Sequence, residues 1–211
     1  MTEQEAINRM LAAIGQAPIT TLDETNPDVA ICKTTLYQVS QEVQSEGWTF
    51  NTTYNEKVSP RANDNRIVIR SANPGSRSYC IQMDLSYNTR FARDKDSVAK
   101  ADRGTVYLYN RTDSTFDWGT DPVEVDKVMY ISELGELPPA AYNYIVAKAS
   151  ADVSMRTVGD TDQYKVLIER EEYCRTQLQE YEMNQGDYTF FGHPKGGNFY
   201  NSYKPFHTLA R

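Results

Sequence analysis

Two amphipathic helical patterns precede a strand-rich middle and two more follow it, and this order constrains the fold most. Thr2 and Glu5 stand at the spacing of a capping box. Ala6, Ile7, Met10, Leu11 and Ile14 then form one apolar stripe, with Gly15 where a helix ends. A loop over residues 16–25 is pinned by Pro18, with Leu22 expected to point inward. Asn26-Pro27 opens the second helix as cap and first-turn proline. Val29, Cys32, Leu36, Val39 and Val43 carry its stripe, and Gly47 stops it. Pro138-Pro139 opens the third helix, whose face is Tyr142, Ile145, Val146, Ala149 and Val153, with Gly159 at its end. Asp160 and Gln163 predict an acidic capping box for the fourth. That helix has the stripe Tyr164, Leu167, Ile168, Cys174, Leu178 and Tyr181 and a charged outer face that includes Glu169, Arg170, Glu172 and Arg175.

The middle has a different period. Arg66–Arg70, Tyr79–Leu85, Thr105–Tyr109 and Val123–Ile131 are short runs of β-branched and aromatic residues. Turn chemistry separates them at Asn73-Pro-Gly75, Asp102-Arg-Gly104 and Asp117-Trp-Gly119. Tyr107 to Trp118 predicts a hairpin with its tip at Thr112-Asp113-Ser114, either an ordinary hairpin or a projecting contact. Each helix has an apolar face that needs a partner. The economical fold is therefore α+β: a four-helix bundle, two N-terminal and two C-terminal helices, with a small antiparallel β domain inserted. The expected boundaries are 1–47 and 133–185 for the bundle, 48–132 for the β domain, and 186–211 for an extended C-terminal arm.

That arm has neither helical nor strand periodicity. It holds Tyr188, Phe190, Phe191, Phe199, Tyr200, Tyr203 and Phe206, four glycines and both histidines. Glycines resist being fixed, and aromatics lose about 2 kcal/mol each when left in water. Such a segment cannot form its own core, and it gains from lying on another surface: its own domain, a neighbouring copy or a different protein, of which the last two are favoured. These seven aromatic residues are the candidate inter-subunit or partner contacts.

Composition narrows the function. The chain has 211 residues, a net charge of −7 and a pI near 4.9. This is unlike a nucleic-acid binder, though an acidic wall lets DNA pass without sticking. No apolar run approaches a membrane span, so no membrane insertion is expected, and the N-terminus lacks the pattern of a signal peptide. Cys32, Cys80 and Cys174 have no CxxC spacing and are expected to be buried, reduced thiols. Asn51-Thr-Thr and Asn110-Arg-Thr match a glycosylation acceptor by coincidence.

The residues offer little for catalysis. His193 and His207 lie 14 positions apart in the arm with no Cys or Asp at ligand spacing, so no metal or cofactor is expected. Neither has a nucleophile elbow to serve. Carboxylate pairs such as Glu133 and Glu136, or Glu171 and Glu172, read as solvated charge. Gly192 to Gly197 has the glycines of a phosphate loop without its Lys-Ser/Thr ending or following helix.

A family resemblance is carried by four segments in order. They are Ala6–Leu22 with its Ile14-Gly15 and Pro18, Glu46-Gly-Trp48-Thr-Phe50-Asn51, Leu137–Ile145 with Ala147–Ala151, and the acidic last helix with its Gly/Asn/Tyr/Phe tail. Together they resemble the tail tubular protein A family of short-tailed bacteriophages, strongly at the helical ends and loosely over residues 52–130. The resemblance implies a structural virion protein, not an enzyme, made in the host bacterial cytoplasm. It implies a dodecameric head-to-tail adaptor ring between the portal protein and the tail nozzle protein. The genome, double-stranded DNA, would pass through the ring at ejection without specific binding. Two alternatives stay open: a carbohydrate-binding or carbohydrate-hydrolysing tail-associated module, and a connector of another tail type.

Overall fold

The computed structural model describes residues 2–23, 26–70, 79–86 and 95–186. Its fold is α+β, with four α-helices and two small antiparallel sheets. In chain order these are α1 (Glu3–Ala13), α2 (Pro27–Ser45), β1 (Thr52–Val58), β2 (Val68–Arg70), β3 (Tyr79–Leu85), β4 (Ser97–Asp102), β5 (Thr105–Asn110), β6 (Val123–Tyr130), α3 (Pro139–Thr157) and α4 (Thr161–Gly186). The chain divides into two compact units, one holding the helices up to Tyr181 and one holding the strands between Thr52 and Met129.

The helical unit forms where the punctuation places it. Thr2 and Glu5 make a reciprocal capping box, with the Thr2 hydroxyl accepting from the Glu5 amide and the Glu5 carboxylate accepting from the Thr2 amide. Gly15 and Gly47 adopt φ of 76° and 77°, left-handed values that glycine takes without strain. The α1–α2 loop is held by side chains the helical pattern left unread. Asn8 bonds both the amide and the carbonyl of Ile19, and Gln4 donates to the carbonyls of Ile19 and Thr20. Leu22 corrects the expectation of an inward side chain: it is 40% exposed, because Asn8 and Gln4 fix the backbone ahead of it.

The core joins Ile7, Met10 and Leu11 of α1 to Val29, Cys32, Leu36, Val39 and Val43 of α2 and to α3. In α3, Ala141, Tyr142, Tyr144, Ile145, Val146, Ala149 and Val153 are all buried, more than one face of a helix can supply. Small residues at 147, 149, 150 and 151 allow close approach on several sides. α4 differs: only Cys174 and Leu178 of its stripe are buried, and Tyr164, Leu167, Ile168 and Tyr181 are half-covered. Asp160 caps α4 by accepting from the Asp162 amide. Gln163 does not complete a capping box, because its side chain donates to the Ala13 carbonyl at the end of α1 instead.

The Gly47-Trp-Thr-Phe-Asn51 segment is a termination device for α2. The Trp48 indole donates to the Val43 carbonyl (2.8 Å) and Asn51 Nδ2 to the Gln44 carbonyl (2.8 Å), satisfying acceptors that a helix end otherwise leaves open. Asn51 Oδ1 also accepts from the Trp48 amide. Gln44 itself is fully buried. Its Oε1 accepts from the Ile131 amide (2.7 Å), and its Nε2 donates to the Ile131 carbonyl (2.9 Å) and the Ser40 hydroxyl.

The strand unit has two three-stranded sheets, ordered β1-β6-β3 and β2-β5-β4. Six strands replace the four expected. β1 and β4 went unread because both are polar edge strands, and β4 is exposed along most of its length. β4 and β5 form a two-residue hairpin whose Arg103 and Gly104 have φ of 49° and 79°, the conformation that matches strand twist. In β1 the register shifts between Thr53 and Glu56, where Asn55 takes φ of 55° and donates its amide to Asp126. The core of this unit contains Ile67, Ile69, Cys80, Met83, Leu108, Trp118, Val123 and Val125, drawn from both sheets. Trp118 enters it from the Asp117–Gly119 turn, with its indole donating to the Leu108 carbonyl (2.8 Å).

Two stability predictions arise here. Gln44→Leu fills the space but strands the half-buried amide and carbonyl of Ile131, and should cost about 2–4 kcal/mol in urea unfolding, whereas Gln41→Leu on the exposed side of α2 should not. Burial holds the Glu171 carboxyl above its ordinary range, with Asp152 and Glu172 adding repulsion and Lys148 and Arg175 opposing. A raised folded-state value means the ionised form destabilises the fold. Glu171→Gln should therefore be more stable than the parent near neutral pH, with the difference vanishing as pH falls through the ordinary glutamate range.

Candidate functional site

The helical unit carries a recess beside α2. Along the outward side of α2, Ile31, Thr34, Gln38, Gln41 and Ser45 recur at spacings of three and four, all exposed and none charged. Beside them Tyr37, Tyr79 and Tyr130 wall a recess of about 500 Å³, and the Tyr79 and Tyr130 rings lie 4.9 Å apart. A second recess of about 460 Å³ shares Tyr37 and continues past Glu3, Ser132, Glu133 and Leu134. The Tyr37 hydroxyl donates to Glu3 Oε1 (3.1 Å), and Lys33 Nζ lies 4.0 Å from the same atom. Burial raises the Tyr37 phenol, the Glu3 charge adds to this, and burial likewise raises Tyr130, so both phenols stay neutral. The result is a trough with an aromatic end that also holds Lys33, and a second end bearing Glu3 and Glu133. Sequence reasoning missed it because Tyr79 and Tyr130 are distant in the chain from α2.

The strand unit carries a cation–aromatic ladder. Phe116 packs edge-on against Tyr109 (4.8 Å) and Tyr107 (5.9 Å). The Arg66 guanidinium lies 4.9 Å from the Phe116 ring centre and 5.3 Å from that of Tyr107, and Lys100 lies 4.2 Å from that of Tyr109. Asp102 anchors Arg66 at 2.8 Å. The expected hairpin tip closes through a bridge between Asn110 and Thr115, with the Asn110 side chain bonded to the amide and carboxylate of Asp113. Its aromatic residues fold back onto β5.

The other sequence candidates divide clearly. Tyr188, Phe190, Phe191, Phe199, Tyr200, Tyr203 and Phe206 lie outside the described residues, as do His193, His207 and Gly192–Gly197. Glu133 precedes a short 3-10 turn that ends with Glu136, and Glu171 and Glu172 are adjacent on α4, so the side chains of that pair diverge. Among the described residues no cluster of three His, Cys, Asp or Glu could hold a metal. Asn51 and Asn110 are buried and hydrogen-bonded within the fold. No described helix is long and apolar enough to cross a membrane.

Charge is unevenly shared. Residues 1–51 and 130–186 together carry −10, residues 52–129 carry +1, and residues 187–211, with three Lys/Arg against one Asp, carry +2. The helical segments thus carry more than the whole net charge of −7, and the rest of the chain is slightly basic.

The profile of the tail tubular protein family matches residues 4–188, nearly all of the described chain. The chain belongs to the tail tubular protein family. It is therefore a structural component of a phage tail, and its place is the virion tail. No curated protein matches it in a sequence search. In this tail tubular protein the Ile14-Gly15 and Trp48–Asn51 segments that carried the resemblance are helix-ending devices. The match stops at residue 188, so Phe190 and all later aromatic residues of the tail lie beyond it.

The three thiols are free and buried, and burial pushes Cys32 and Cys80 up to about 11 and Cys174 above its usual value. Native tail tubular protein at pH 8 should react with a thiol reagent at least tenfold more slowly than the urea-unfolded chain, which should release all three. Rapid labelling of one thiol in the native protein would reveal an opening the fold does not show.

Proposed function

We propose that this tail tubular protein is the head-to-tail adaptor of a short-tailed bacteriophage. It forms a ring of about twelve copies between portal and tail nozzle, through which the genome leaves the capsid. The observation that carries this reading is the family match over residues 4–188. The division of the chain into two units with separate cores supports it, because each unit offers its own surface to a neighbour. So does the charge of −10 on the helical segments, since an acidic wall repels the DNA backbone and lets it slide. In this reading the bundle segments 1–47 and 133–185 and the inserted segment 48–132 make the ring body. The aromatic arm from residue 186 makes contacts between subunits, with Tyr188, Phe190, Phe191, Phe199, Tyr200, Tyr203 and Phe206 as its anchors. The protein has no catalytic role.

Native mass spectrometry of the full-length chain mixed with the portal protein of its own phage tests this. The expected result is one portal ring carrying about twelve copies of the chain. A chain that remains monomeric and does not associate with the portal overturns the adaptor reading.

A further inference from the structure

The trough on α2 and the C-terminal arm are complementary in chemistry. One end of the trough is aromatic, formed by Tyr37, Tyr79 and Tyr130 with Gln38 and Gln41 exposed beside them, and Lys33 is its one charged lining residue. The other end bears Glu3 and Glu133. The arm presents aromatic residues interleaved with Lys195, Lys204 and Arg211, and its +2 contrasts with the −10 of the helical segments. Recesses of about 500 and 460 Å³ are of the size that accepts a few large side chains each. The 25 residues after Gly186 can extend to about 80 Å, enough to leave their own subunit.

We infer that the α2 trough is the docking site for the C-terminal arm, residues 187–211, of a second copy of this chain. The inference rests on the ring reading above and names the surface by which neighbours hold one another. An arm and a receptor at different places on one chain make a heterologous contact. Repeated around an axis, such a contact closes into a ring. An arm seated in its own trough would instead cap that surface and leave nothing for a neighbour. Tyr37, Tyr79 and Tyr130 supply rigid aromatic area at small entropy cost, and the net acid of the helical segments draws the basic arm toward them.

The test uses the full-length chain with a photo-cross-linking phenylalanine analogue at Gln38, an exposed position. Light and heavy isotope-labelled preparations are mixed and assembled with the portal, then irradiated and digested. The expected product joins an α2 peptide of one isotope to a peptide from residues 187–211 of the other. Cross-links confined to one isotope, or reaching only the portal or another part of a neighbour, overturn the inference while leaving an assembled ring, and hence the adaptor function, intact. Failure to assemble at all overturns both. A second arm uses charge. Gln38→Arg with Gln41→Arg should weaken self-association at least tenfold with an unchanged thermal melt, and Gln38→Glu with Gln41→Glu should not weaken it. Equal association of the two variants overturns the inference.

Discussion

Gln44 holds the chain together where it leaves the helical unit and where it returns. Its carbonyl receives Asn51, the last residue before the strands, and its side chain bonds both polar groups of Ile131, the first residue after them. An insertion of nearly 80 residues separates those two points in sequence, and closing so long a loop costs entropy. A fully buried amide with two opposed bonds to one backbone residue fixes the closure to a single geometry. The segments on either side, α2 and α3, then meet in register, and the helical core forms between them.

α3 occupies the centre of that core, and α4 stays at its margin. This follows from side-chain size and charge. The Ala and Ser positions of α3 admit neighbours on several sides, whereas α4 carries charge on most of its circumference and leaves Val166, Tyr173 and Met183 more than half exposed. Among the described residues, Ile31 on α2 and Val166, Tyr173 and Met183 on α4 are large apolar side chains left exposed. The helical surfaces belong to a unit that is acidic, and the sheet surface belongs to a unit near neutrality.

Local chemistry was legible in the sequence wherever one residue decides one backbone angle. Thr2 with Glu5, Asn26-Pro27, Gly15, Gly47, Gly104, Gly119 and Gly159 act in the structure where the pattern puts them. Apolar stripes at three-and-four spacing located the buried faces of α1 and α2. Polar strands were not legible: β1 and β4 have little apolar alternation and exist because β6 and β5 offer unpaired edges. Nor was the use of Asn8, Gln44 and Gln163, because an amide side chain gives no sign of which distant carbonyl it will meet. Leu22 was misread for the same reason, since Asn8 and Gln4 set the course of its loop.

What the sequence determined alone was the set of elements that close locally, with the caps and stops of the helices, the Arg103-Gly104 turn and the burial of three cysteines. Each depends on interactions within a few residues or on a hydrophobic period. What only the tertiary structure decided was the meeting of residues far apart: Gln44 with Ile131, Tyr37 with Tyr130 and Tyr79, and Arg66 with Phe116. Those contacts depend on how helices and strands pack at long range, and a linear pattern of residue types does not encode which distant groups will face one another. The trough on α2 belongs to this second kind, so it came into view only when the chain was folded.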